Sequence, residues 1–324
     1  MKAITTPSYG SPDVLRYEEI PKPSPKPNEV LVRVSASVVG PADCAFRKGE
    51  PFIVKLIYGL SKPKFAVLGA EFAGVVEEVG SKANLFKKGD RVFGLSADTF
   101  GAHAEYLCLP ESKVVAVLPE KISFEEGVSI LDGGLTALTF LHDVAKVNAG
   151  QKVLINGASG AVGIYGVQMA KLLGAEVTGV CSGANSELVK ANGADSVIDY
   201  TRQDFTSSEN SYDVIFDAVG KSSFSKCKMA LKPGGIYLTT VPTGAIIFDM
   251  LMTSIGGGKK ARFATAGLMQ NKANLEYVSK LFLDGHLKPV IDRRYKLEQT
   301  AEAHRYVETE RKRGNVVLNI GGEN

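Results

Sequence analysis

The chain has 324 residues, more than one hydrophobic core usually serves, so two domains are expected. It is 44% hydrophobic and 23% charged, an ordinary balance for a soluble enzyme, and its net charge of +3 is too small and too scattered to argue for nucleic acid. Its four cysteines, Cys44, Cys108, Cys181 and Cys227, stand far apart, which speaks against a disulfide framework or a Cys-Xaa-Xaa-Cys metal knuckle and suits the reducing cytoplasm.

Met1 leads directly into the strand-like KAITTP, without a basic and apolar leader. The first third alternates as antiparallel strands do, over residues 30–34, 73–79, 91–94 and 104–109. The proline-rich PKPSPKP, Gly80, Gly89-Asp90 and Pro110 punctuate these strands, so a β-rich domain is expected. At Ser123 the period changes: Ser123 stands as a helix N-cap with Glu126 in the capping-box position. Strands are then predicted over 152–156, 176–181, 196–200, 213–218, 235–240 and 262–266, with helices between them. That alternation describes a doubly wound, six-stranded parallel sheet. The helix NLEYVSKLFLDG and the closing strand NVVLNI return to the first domain, which gives boundaries of 1–122 with 268–324, and 123–267. The cleft between the two domains is the expected site. No membrane span is expected, because the uncharged stretches 153–170 and 234–248 are broken by glycines, Asn156, Ser159, Gln168 and Pro242.

The segment VLINGASGAVG, residues 153–163, is where this chain can hold a pyrophosphate. Gly157 permits a tight turn, Gly160 lets the backbone approach the phosphates, and Gly163 allows close packing of helix on strand. Ser159, Ala161 and Val162 complete the loop and the first helical turn, whose N–H groups face the anion. The helix reads Ile164, Val167, Gln168, Met169, Leu172 and Leu173 and closes at Gly174, after which EVTGV forms the next strand. A site selective for NAD usually ends that second strand with an acidic residue. Here the end is VCSGAN, residues 180–185, with Glu176 at the opposite end and Glu187 past the turn. Ser182 and Asn185 suit a 2′-phosphate better than a carboxylate would, which favours NADPH. Alternatively, both residues cap the helical turns that follow.

YGSPDVL, GAEFAGVVEEVG, GDRVFG, GGLTAL, the glycine loop, GADSVIDY, FDAVG, LKPGG and KRGNVVL extend over nearly the whole chain. Together they make it resemble the medium-chain dehydrogenase/reductase superfamily, in its zinc-free quinone oxidoreductase-like branch. The resemblance implies an α/β protein with a GroES-like β-rich catalytic domain beside a Rossmann domain. In zinc-dependent members the ligand positions correspond to Gly40, Ala70 and a place near Asp132, and the four-cysteine lobe is reduced here to Cys108, so no metal is expected. Cys44, a lone cysteine beside Asp43, is read as a packed residue, and His103, His142, His286 and His304 as surface or structural. The resemblance further places Thr136 and Ala218, Val219 and Gly220 along the cofactor cleft, and Val241 near the nicotinamide amide. It puts Tyr200 near the adenosine phosphate and lets Asn315 cross from the other domain. Two departures stand out: Ala184 where many relatives carry a basic residue, and Gly40 where quinone reductases often carry Asn. Asp43, Arg47 and Tyr58 are the catalytic candidates, though each reads first as a turn former, an ion-pair member or a core aromatic respectively. The expected protein is a cytoplasmic homodimer, without a nucleic-acid partner, that uses NADP(H) to reduce a quinone, enone or enal without metal. The alternatives are a dinucleotide-binding regulatory or structural protein with little catalysis, and an RNA-binding, crystallin-like relative.

Overall fold

The structure, a computed structural model, describes residues 1–256 and 258–321. A short antiparallel pair opens the chain, β1 (Lys2–Thr5) with β2 (Arg16–Glu19). Next come β3 (Glu29–Val38), α1 (Pro41–Lys48), α2 (Ile53–Tyr58), β4 (Glu71–Val79), β5 (Arg91–Leu95), β6 (Tyr106–Pro110) and β7 (Val114–Val117). The side chains of β3 alternate, so that Val30, Val32 and Val34 enter one core with Phe72, Val76, Val92, Leu107 and Leu109. Helix α1 interrupts the expected run of strands; it starts on Pro41 and ends at Gly49 with φ 70, the proline-in, glycine-out pattern of helix ends.

After α3 (Phe124–Ala137), extended by a wider turn over Leu138–Val144, the chain alternates strand and helix. These are β8 (Lys152–Asn156), α4 (Ala161–Leu172), β9 (Glu176–Cys181), α5 (Ser186–Ala191), β10 (Ser196–Asp199), β11 (Tyr212–Asp217), α6 (Phe224–Cys227), β12 (Leu231–Thr239), α7 (Gly244–Met252), β13 (Lys260–Phe263) and α8 (Ala266–Met269). All six strands are parallel in the order β10-β9-β8-β11-β12-β13. Strands β8, β9 and β11 are buried almost throughout, as strands covered on both faces must be. The order reverses between β8 and β11, and ligands of such sheets bind beyond the carboxyl ends of the strands at that point.

The chain ends with α9 (Lys272–Leu283), β14 (Ile291–Lys296), α10 (Thr300–Glu308) and β15 (Asn315–Asn319). Strand β15 pairs antiparallel with β3 and parallel with β14, so the closing strand joins the first sheet. Compact packing divides the molecule into residues 1–131 with 270–283 and 289–324, and residues 132–269 with 284–288. The predicted strands at 152–156 and 176–181 are found as read. The third stops at Asp199 and leaves Tyr200 outside, while the fifth begins earlier, at Leu231, through a register shift against β11. Among the described residues no helix is long and apolar enough to cross a membrane.

Candidate functional site

Where β8 ends, the backbone turns at Gly157 with φ 76, and the N–H groups of Gly157 and Ala158 donate to Val180 O at 3.1 and 3.0 Å. Glycine is required there twice over, by the positive φ and because a Cβ would come within 2.4 Å of Val219 Cγ1. At Gly163 a Cβ would lie 2.1 Å from Gly157 O, so α4 packs backbone against backbone on the turn. Gly160 is different. It is the N-cap of α4 at φ −78 and ψ 172, which any residue adopts, and a Cβ there meets only Gly157 O at 3.4 Å. The fold itself does not demand glycine at this position. Helix α4 carries no side-chain cap, so the N–H groups of Ala161, Val162 and Gly163 lack intrahelical acceptors and add to the positive end of the helix dipole. Both features fit a pyrophosphate.

The facing lip is built from the ends of β11 and β12. A Cβ at Gly220 would lie 2.3 Å from Val241 Cγ2, so Val219, touching Gly157, and Val241, touching Gly220, form a continuous ledge with Ala218 at its base. Beneath it the wholly buried Asp217 accepts from Asn156 Nδ2 at 2.9 Å, Tyr237 Oη at 3.0 Å and Ser222 N at 2.8 Å. One carboxylate thus ties together the ends of β8 and β11 with β12, and burial together with that charge pushes the Tyr237 phenol up. Thr136 lies one turn beyond Gly133 on α3, and a Cβ at Gly133 would be 2.5 Å from Ala161 O, so α3 packs closely against the start of α4.

Ser182 and Asn185 occupy cap positions before the turn Gly183–Asn185 and before α5, yet neither side chain caps. Asn185 Nδ2 instead donates to Ser159 Oγ at 3.1 Å, and its Oδ1 is buried without a partner among the described residues. Tyr200 is exposed beside them, its N–H on Cys181 O at 3.2 Å. The end of β9 has no acid of its own, but its neighbour β10 brings one beside it. Asp199 pairs in register with Cys181, and its Oδ2 lies 2.6 Å from the place a Gly183 Cβ would take. Its Oδ1 accepts from Thr201 N at 3.0 Å and Thr201 Oγ1 at 2.8 Å. The bonds from Thr201, with further help from Gly183 N–H and Arg202, hold this carboxyl below its usual range. The signal was present in VIDY, but only pairing of β10 with β9 brings it to this corner.

In the first unit, Asp43 and Arg47 are taken up by the fold. Buried Asp43 accepts Gly40 N at 2.8 Å at the start of α1, and burial pushes its carboxyl up against the opposing pull of His103 and of the Gly40 and Gly69 N–H groups. Arg47 is wholly buried and donates to Gly10 O and to Glu308 Oε1. Tyr58 is half-buried against Phe46 and Phe100, at 4.6 and 5.5 Å between ring centroids, and burial raises its phenol. Cys44 is not the isolated residue that the sequence suggests, for its Sγ lies 3.4 Å from His304 Nδ1. Burial and the Asp43 and Glu308 charges push its thiol up to about 12, so it stays protonated. Asn315 lies in this unit as well, with Nδ2 on Val290 O at 3.3 Å. Among the described residues no group of three or more His, Cys, Asp or Glu side chains could hold a metal ion.

The chain matches the family models of the alcohol dehydrogenase GroES-like domain over residues 26–120 and of the zinc-binding dehydrogenase over residues 192–318. It is 34% identical to a chloroplastic quinone-oxidoreductase homolog of Spinacia oleracea, over 94% of this chain and 93% of that one. It is 32% identical to 2-methylene-furan-3-one reductase of Solanum lycopersicum, over 98% and 79%. Among solved structures, mycobacterial Rv1454c complexed with NADPH superposes with a TM-score of 0.84 at 27% identity, covering 98% of this chain and 99% of that one.

Proposed function

Because the chain belongs to the zinc-free quinone oxidoreductase-like branch of the medium-chain dehydrogenase/reductase superfamily, we propose that this oxidoreductase uses NADPH to reduce a conjugated carbonyl, a quinone or an enone, without a metal. The observation that carries the reading is Gly160: an uncapped helix start fronted by a glycine that the fold does not need. When bound, the dinucleotide supplies a hydride from nicotinamide C4 to the electron-poor carbon of the substrate. The first turn of α4 binds the pyrophosphate through backbone N–H groups. The ledge of Val219, Gly220 and Val241 would hold the nicotinamide, and Asp217 keeps that ledge in register with the glycine turn. Ser182 and Asn185, neither of which caps a helix, would meet the adenosine ribose. Of the three catalytic candidates, Asp43 and Arg47 are engaged by the fold, whereas Tyr58 is half-buried among aromatic rings with its phenol raised by burial, which leaves it as the candidate proton donor. Metal independence is supported by positions 40 and 70, where Gly and Ala offer no side-chain ligand.

The test is NADPH oxidation by the purified chain after dialysis against a chelator, with a panel of quinones, enones and saturated ketones. Turnover of the conjugated substrates alone, undiminished by chelation, is expected. A requirement for added zinc overturns metal independence, and dinucleotide binding without turnover favours a regulatory binding protein. We also propose that the chain is a homodimer. Strand β13 is the edge of its sheet, and α7, packed on it, exposes Ile247, Phe248, Leu251 and Met252.

A further inference from the structure

We propose that Arg202, leashed to Asp199, is the residue by which this chain selects a dinucleotide with a 2′-phosphate; the inference rests on the reading of the glycine loop as the pyrophosphate site. The corner beyond β9 contains little charge of its own. Ser182, Gly183, Ala184 and Asn185 are neutral, and Glu187 and Lys190 of α5 pair with each other at 3.6 Å. Into this corner β10 delivers the Asp199 carboxylate against Gly183. Alone, that charge would repel a phosphate monoester, which carries about −1.5 to −2 at neutral pH. It would favour the dinucleotide that ends in a ribose hydroxyl.

Arg202 reverses that sign. Its Nε lies 3.7 Å from Asp199 Oδ2, and its backbone N–H donates to Asp199 O at 3.0 Å, so the guanidinium is held within reach of Gly183. The contact is long and the side chain is 87% exposed, so the pair is weak and the guanidinium is free to turn. Asp199 meanwhile loses little when Arg202 turns away, because Thr201 and Gly183 already satisfy its oxygens. A planar guanidinium that can leave a single long contact for a bidentate bond to phosphate has a large differential affinity for the phosphorylated ligand. Arg202 thereby does from β10 what a basic residue at position 184 would do from β9. Asp199 keeps its backbone at this corner and its charge moderates the preference.

The experiment is equilibrium titration calorimetry of NADPH, NADH, 2′,5′-ADP and 5′-AMP, without substrate, on the native chain, Arg202→Ala, Arg202→Lys and Asp199→Asn. Thermal melts establish that each variant is folded. Arg202→Ala should weaken NADPH and 2′,5′-ADP by about tenfold and leave NADH and 5′-AMP within about twofold, with a shallower salt dependence. Arg202→Lys should fall between, as a point charge without the fork, and Asp199→Asn should tighten NADPH. If Arg202→Ala binds both dinucleotides in the native ratio, the assignment of Arg202 is overturned while the glycine-loop reading stands. If the native chain binds neither dinucleotide, the reading of the loop falls and this inference with it.

Discussion

At the scale of single residues, the glycines of the loop do different work, and the difference can be measured. Gly163 is demanded by the protein: with Gly157 O at 2.1 Å from its would-be Cβ, Gly163→Ala has to push α4 off the turn and should lower the melting temperature. At Gly160 the fold makes no such demand. Gly160→Val should fold with a near-native melting temperature yet weaken NADPH by at least about tenfold, roughly 1.4 kcal/mol, in equilibrium titration. Equal affinity in the folded variant would remove the loop from the site. The catalytic candidates show the opposite limit of single-residue reading. Asp43 and Arg47 look like site residues in a string of letters, but a buried capping carboxylate and a wholly buried guanidinium are what the fold makes of them. The partners of Arg47, Gly10 and Glu308, are too distant in sequence to be guessed.

At the scale of elements, local signals that answer to nearest neighbours were legible. The capping box at the start of α3 forms as read, with Glu126 N on Ser123 Oγ at 3.2 Å and Ser123 N on Glu126 Oε2 at 2.9 Å. What strands bring to one another was not legible. Asp195 is an example: its carboxylate takes Val177 N at 2.7 Å at the start of β9 and Lys171 Nζ from α4, and these contacts, Lys171 first, hold its pKa down. A carboxylate with a depressed folded pKa contributes stability that is present above its unfolded value and lost as pH falls through the folded one. The native chain should therefore melt higher than Asp195→Asn near neutral pH, and the gap should close below about pH 4. The side chain is 38% exposed, so solvent screens the effect and the gap is modest. A gap that does not change on acidification would show that Asp195 acts through packing alone.

At the scale of the whole molecule, the parallel sheet leaves β13 with β12 as its one strand neighbour among the described residues, beside a helix with an exposed apolar face. A self-complementary edge and patch of this kind are what a twofold interface uses. Sedimentation should give twice the chain mass of 34.6 kDa, and the double variant Phe248→Asp, Leu251→Asp should sediment as a folded monomer. A native monomer at micromolar concentration would refute the homodimer.

The amino-acid sequence by itself determined the class of the sheet, the strands β8 and β9, the glycine turn, the start of α3 and the family. Each of these is written in a short window, as apolar runs, caps and spaced glycines that act over a few residues. Only the tertiary structure decided that the acid missing from the end of β9 arrives on β10, that Cys44 meets His304, and that Gly160 is open where Gly163 is closed. Those facts depend on which strands lie side by side and which backbones touch, and such contacts join residues whose separation along the chain leaves no local trace.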